Sequence, residues 1–122
     1  MIAIILIGFF IGKNNHPIVT FPLQDKVAKQ IIRDLANNQT HKVRFGQHAK
    51  QRMTERNVTI RQVFDVLKSA NSYFTERPHP TPGGSWKCNL LGIAAGERIE
   101  VVIVLKECET EPNAYIVTVM VK

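Results

Sequence analysis

A chain of 122 residues has room for one domain with a core of its own, and 44% hydrophobic against 21% charged residues excludes the disordered and fibrous classes. A formal net charge of +6 and a pI near 9.6 point to a polyanion or an acidic protein as partner. The surplus is uneven: residues 1–77 carry twelve Lys and Arg against five Asp and Glu, residues 78–122 four against five, so the positive charge travels with the expected helices.

The chain opens with MIAIILIGFFIG, twelve residues without a charged side chain. As a helix this would rise about 18 Å, short of a hydrocarbon core of roughly 30 Å, so no transmembrane segment is expected. No basic region precedes it and no small-residue cleavage site follows, which argues against an export signal. Its β-branched and aromatic residues, broken by Gly8 and Gly12, fit a buried strand or a partner-covered segment, a homodimer through residues 1–12 being one such arrangement. Residues 13–40 form the next region. Within it Val27, Ala28, Ile31, Ile32, Leu35 and Ala36 recur at helical spacing, which predicts an amphipathic helix over Gln24 to Asn37, with Pro22 ahead and Asn37-Asn38 behind.

Residues 41–122 hold the expected core region. After a short extended piece around Val43 and Phe45, a helix is predicted from Gly46 to Arg56, ending at Asn57, a residue that tolerates the left-handed conformation. His48, Arg52 and Arg56 stand at i, i+4 and i+8 on it and project in a row, while Ala49 and Met53 turn inward. Thr59 with Gln62 reads as a capping box for the following helix, Val58 with Val63 as a hydrophobic staple, and Val63, Phe64, Val66 and Leu67 as a buried stripe. PHPTPGGS at residues 78–85 is expected to be a loop, because its prolines and glycines suit neither a helix nor a central strand. Beyond it the period changes to two. Trp86, Cys88 and Leu90 alternate with polar residues, Ala95-Gly96-Glu97 makes a turn, Ile99 to Leu105 forms a central strand covered on both faces, and Tyr115 to Val121 is the last strand. The fold class is therefore α+β, with N-terminal helices on one face of a C-terminal antiparallel β-sheet and the other face left for a ligand.

An imidazole flanked by two guanidiniums suits a phosphodiester. The His moves a proton near neutral pH, and the Args hold phosphate oxygens bidentately. Metal-free RNA cleavage needs a base for the 2′-hydroxyl proton, an acid for the leaving 5′-oxygen and cations for the phosphorane. His48 can fill either of the first two roles and Arg52, Arg56 and Lys87 the third. Lys50, Arg61, His79, Trp86 and Thr118 are candidate substrate contacts, with Trp86 placed to stack on a base and His79 as a second proton-transfer group. Plainer readings stand beside these. Arg56 at a helix end would satisfy final carbonyls, Lys87 would be the solvent side of a strand, His79 a solvated loop residue, Trp86 a core residue and Thr118 an ordinary β-branched strand residue. Two cysteines, Cys88 and Cys108, make no framework and leave both a disulfide and two free thiols open. His16, His41, His48 and His79 are scattered and no Cys-x-x-Cys or His-x-x-x-His pair occurs, so no metal or cofactor is expected.

The string FGQHAKQRMTERNVT, a following helix, a Gly-Gly loop, WKCNLLG, a strand ending VVIVL and IVTV near the end resemble a family of small uncharacterised bacterial domains. That family is grouped by fold with the barnase, EndoU, colicin and RelE-like ribonucleases, many of them toxins. The resemblance covers residues 42–122 and rests on His48-Ala49, Arg52, Arg56, Lys87, Gly92 and Thr118. It implies a RelE/barnase-like fold and metal-independent ribonuclease toxicity in a bacterial cytoplasm, or as a delivered effector, with an acidic antitoxin or immunity protein as partner. The rival expectation is a basic module that binds nucleic acid or an acidic protein without chemistry.

Overall fold

A computed structural model describes residues 22–122 of the chain; the apolar segment Met1 to Gly12, with its expected strand or dimer role, lies outside the described residues. Helix α1 spans Asp25–Asn38, and all six residues of its predicted stripe are buried. Its charged side chains tie it to the rest of the chain: the Arg33 Nε donates to Lys68 O at 2.9 Å, Lys29 donates to Ser72 O, and Asp25 pairs with Arg77 at 3.0 Å. A single turn of 3₁₀ helix at Thr40–Lys42 then leads into strand β1, Val43–Phe45.

Helix α2 runs over Gln47–Arg56 and stops where the sequence places its end. Asn57 is left-handed at φ 55° and ψ 40°, and Val58 N–H reaches back to Met53 O at 2.9 Å, which satisfies a carbonyl the helix would otherwise strand. Helix α3, Ile60–Lys68, begins on the predicted capping box, with the Gln62 N–H donating to Thr59 Oγ1 and the Thr59 N–H to Gln62 Oε1. Val63, Val66 and Leu67 are buried and Phe64 packs partly against the core, its ring 6.2 Å from that of Phe45.

Four further strands follow: β2 at Tyr73–Pro80, β3 at Trp86–Ala94, β4 at Glu97–Lys106 and β5 at Asn113–Val121. The sheet order is β1-β5-β4-β3-β2, antiparallel throughout except that β1 lies parallel to β5. The β3–β4 hairpin turns through Ala95 and Gly96 alone, at φ 52° and 81°, the two-positive-φ geometry whose twist matches the flanking strands. One sequence expectation changes here. Pro78, His79 and Pro80 are strand rather than loop, because β2 is an edge strand with two register breaks and its prolines need not donate to a second neighbour.

All three helices lie on one face, where Cys88, Leu90, Ile99, Val101, Ile103, Leu105, Ile116 and Val119 meet the helix stripes in one core. Each large aliphatic side chain fully buried there contributes about 1.5–3 kcal/mol relative to exposure. Gly92 on β3 is shaped by this packing, since a Cβ there would come within 3.2 Å of Val66 and press on Ser72, whose hydroxyl donates to Val66 O at 2.7 Å. The centre of the second sheet face is also closed. Leu91, Glu100 and Val102 are buried, in keeping with a central strand covered on both sides, so surfaces for a ligand lie toward the rim.

Candidate nucleic-acid interface

The buried Ala49 and Met53 pin α2 against β5 and fix which side chains it presents outward. His48 and Arg52, one turn apart, meet: the Arg52 Nε donates to His48 Nε2 at 3.4 Å, at the long end for such a bond, and the Arg52 Nη1 pairs with Glu55 at 3.1 Å. Accepting from a guanidinium requires an unprotonated Nε2, which puts the neutral ring's proton on Nδ1. Arg56 has a different occupation. Its Nη1 donates to Val119 O at 3.1 Å, on the stretch of β5 that β1 is too short to cover, so it satisfies a strand edge and anchors the end of α2.

The remaining sequence candidates do not converge on this row. Lys50 and Arg61 are exposed on α2 and α3. Lys87 and His79 face each other across β3 and β2, with the His79 Nε2 3.3 Å from Glu76, and Trp86 is partly buried against the core. Strands β4 and β5 stand between that group and α2, so Lys87 is not brought to His48. Thr118 lies opposite Val102 on the second face, beside a bulge in β5 at Val117, where the register with β4 slips between Val102 and Ile103.

A rim groove of about 580 Å³ on that second face went unnoticed in the sequence. It is floored by Arg44 of β1, Tyr115 of β5 and Lys106 of β4, with His41 and Lys42 at one wall and Glu107 and Glu111 at the turn. Lys42 is held by Glu111 at 2.6 Å, whereas the Lys106 ammonium sits 5.6 Å from the centre of the Tyr115 ring. The groove abuts α2 through Gly46, the residue that starts the helix. A Cβ there would lie 2.7 Å from Tyr115 Cζ, so only glycine leaves room for the phenol. Its φ of −70° is open to any residue, and the requirement is space alone. The alternation Val43–Arg44–Phe45 and Ala114–Tyr115–Ile116, buried or partly buried residues flanking an exposed one, was the available signal.

Elsewhere, burial by itself would raise the Glu100 carboxyl, but hydrogen bonds from Thr75 and Lys122, the charge of Lys122, and Asn89 outweigh it and hold Glu100 below the usual carboxylate range. Cys88 and Cys108 are both free and buried, and burial pushes their thiols up to about 12 and about 11, which keeps them protonated and unreactive at neutral pH. Among the described residues no three His, Cys, Asp or Glu side chains gather as a metal set, and no helix is long and apolar enough to cross a membrane.

Three helices on one face of a five-stranded, mostly antiparallel sheet, with a basic rim, define a small α+β domain. Residues 45–121 match the family model described as a domain of unknown function (DUF4258), and the chain belongs to that family. No curated protein and no solved structure matches the chain.

Proposed function

We propose that the chain is a metal-independent ribonuclease that cleaves RNA by transesterification and acts as a toxin in the bacterial cytoplasm, neutralised by an acidic partner protein. The observation that carries this reading is the exposed His48–Arg52 pair on α2, an imidazole nitrogen against a guanidinium, in a domain whose rim also holds a groove lined by Arg44, Lys42 and Lys106. The net charge of +6 supports it, as does the resemblance of the His-Ala helix and strand meander to small bacterial domains grouped by fold with ribonuclease toxins. In the reaction His48 Nε2 takes the 2′-hydroxyl proton as the 2′-oxygen bonds to phosphorus. The bond to the 5′-oxygen breaks, that oxygen leaves as an alcohol with a proton from solvent, and a 2′,3′-cyclic phosphate remains. Arg52 swings from His48 to the phosphorane and offsets its extra charge.

Cleavage of an end-labelled RNA in the presence of EDTA tests this. The wild type is expected to cut, with a rate that rises with pH to a plateau as one general base requires, and both His48→Ala and Arg52→Ala are expected to lose at least about a hundredfold in rate. An inert wild type, or cleavage unchanged in both variants, refutes it. The second reading, binding without chemistry, draws on Arg56 and Arg52, whose guanidiniums are already engaged by Val119 O and Glu55. RNA binding that weakens with salt, with no product at any pH, would favour it.

A further inference from the structure

We infer that Arg44, Tyr115 and Lys106 form a subsite for one nucleotide of single-stranded RNA, with the base stacked on Tyr115 and its flanking phosphates held by the two cations. The inference rests on the reading of the chain as an RNA-directed protein and says where that RNA lies. Three adjacent strands build the subsite. Arg44 and Tyr115 are register partners across the parallel β1–β5 pair, and Lys106 lies two pairs along from Val104, the β4 partner of Tyr115, and so on the same face. An aromatic ring is thus flanked on its two sides by a guanidinium and an ammonium, all on the sheet face opposite the helices. Tyr115 is 38% exposed and is seated by Gly46, so its ring is presented rather than packed away. Among the described residues the Arg44 side chain makes no hydrogen bond or ion pair, and the Lys106 side chain is held only over the Tyr115 ring.

The chemistry selects the ligand. A ring stacks on any base but can reach only one that is unpaired, which excludes the interior of a duplex. A base that takes the ring face displaces the Lys106 ammonium, whose flexible stem carries it to the neighbouring phosphate. Glu107 and Glu111 repel the backbone at the turn, and Lys42 is spent on Glu111, so the phosphates are confined to the line from Arg44 to Lys106. His48 lies two residues beyond Gly46, the residue that seats Tyr115, so one short stretch of chain joins the subsite to the start of α2.

Fluorescence anisotropy with a labelled, uncleavable 2′-O-methyl oligouridylate of about ten nucleotides tests the subsite. Arg44→Ala and Lys106→Ala should each weaken binding several-fold and each reduce the slope of log affinity against log salt by about 0.7. Tyr115→Leu should weaken it roughly tenfold with the slope unchanged, and Tyr115→Phe, which keeps the ring, should bind as the wild type does. Arg98→Ala, at the distant β3–β4 hairpin, removes the same charge and should change affinity less than twofold. Wild-type binding with no loss in the Arg44, Lys106 and Tyr115 variants, or an equal loss in Arg98→Ala, overturns the subsite and leaves the ribonuclease reading standing. A wild type that neither binds this oligonucleotide nor cleaves RNA overturns both. Tyr115→Phe and melting curves for each variant separate a lost contact from a lost fold.

Discussion

Replacing Gly46 with alanine should destabilise the domain by about 1–2 kcal/mol, and removing the Tyr115 ring as well should restore most of that loss. Two backbone effects nearly cancel. The φ of −70° and ψ of 162° admit alanine, whose narrower unfolded ensemble favours folding by about 0.4–1 kcal/mol, while alanine is a poorer residue than glycine before a helix by a similar amount. What remains is collision. The new Cβ would stand 2.7 Å from Tyr115 Cζ and 3.0 Å from Cε2, against comfortable carbon separations of about 3.5–4.0 Å, so the ring must move by nearly 1 Å. Overpacking of this kind costs about 1–3 kcal/mol, and a ring 38% exposed can swing outward, which places the cost in the lower half of the range. Urea unfolding read by circular dichroism gives the four corners of a cycle with Gly46→Ala, Tyr115→Ala and the pair. A coupling of at least about 1 kcal/mol is expected, because the ring's absence vacates the space the methyl needs. Additivity within about 0.3 kcal/mol would refute the claim that Gly46 exists to seat Tyr115.

The depressed Glu100 gives a pH dependence with a definite sign. Because its carboxyl holds its proton less tightly in the folded than in the unfolded state, its stabilisation is fully present above the unfolded value of about 4.3 and fades as the pH falls through the lower folded value. Urea unfolding from neutral to acid pH should therefore show a steeper loss in the wild type than in Glu100→Gln, and parallel profiles would sink the assignment. Thr59→Ala, which removes the hydroxyl half of the capping box on α3 and leaves the backbone N–H that Gln62 accepts from, should cost about 1 kcal/mol and lower Tm by a few degrees, and an unchanged Tm would show that the bond from Gln62 N–H to Thr59 Oγ1 carries no weight.

Local signals were legible in the chain and non-local ones were not. The ends of α2 and the start of α3 are written in Asn57, Thr59 and Gln62, residues that act on backbone within a few positions, and the structure places each in its expected role. The alternation at the start of β3 and the near-continuous apolar run of β4 were equally plain, because the first marks a strand with one covered face and the second a strand covered on both. Strand β2 was obscured because Pro78 and Pro80 forbid a central strand but not an edge, and edge position is a property of the whole sheet. The row of His48, Arg52 and Arg56 was visible as spacing, yet its division of labour was not, since the partner of Arg56 is a carbonyl sixty-three residues away. The groove stayed hidden for the same reason: Arg44, Lys106 and Tyr115 share no motif, and only strand register makes them neighbours.

The parallel pairing of β1 with β5 sets when the groove can exist. Val43 meets Ala114 and Phe45 meets Ile116, contacts that span 71 positions, while β2, β3 and β4 are linked by short connections. Closing so long a loop costs entropy that the hairpins do not face. During synthesis the middle strands can pair as they emerge, but Arg44 has no Tyr115 beside it, and Gly46 no carbonyl of Ile116 to bond, until the final segment has been made. A chain cut short before β5 would carry the histidine of α2 but neither the strand that α2 packs against nor the Tyr115 platform, so the surface we assign to RNA is complete only once β5 is in place.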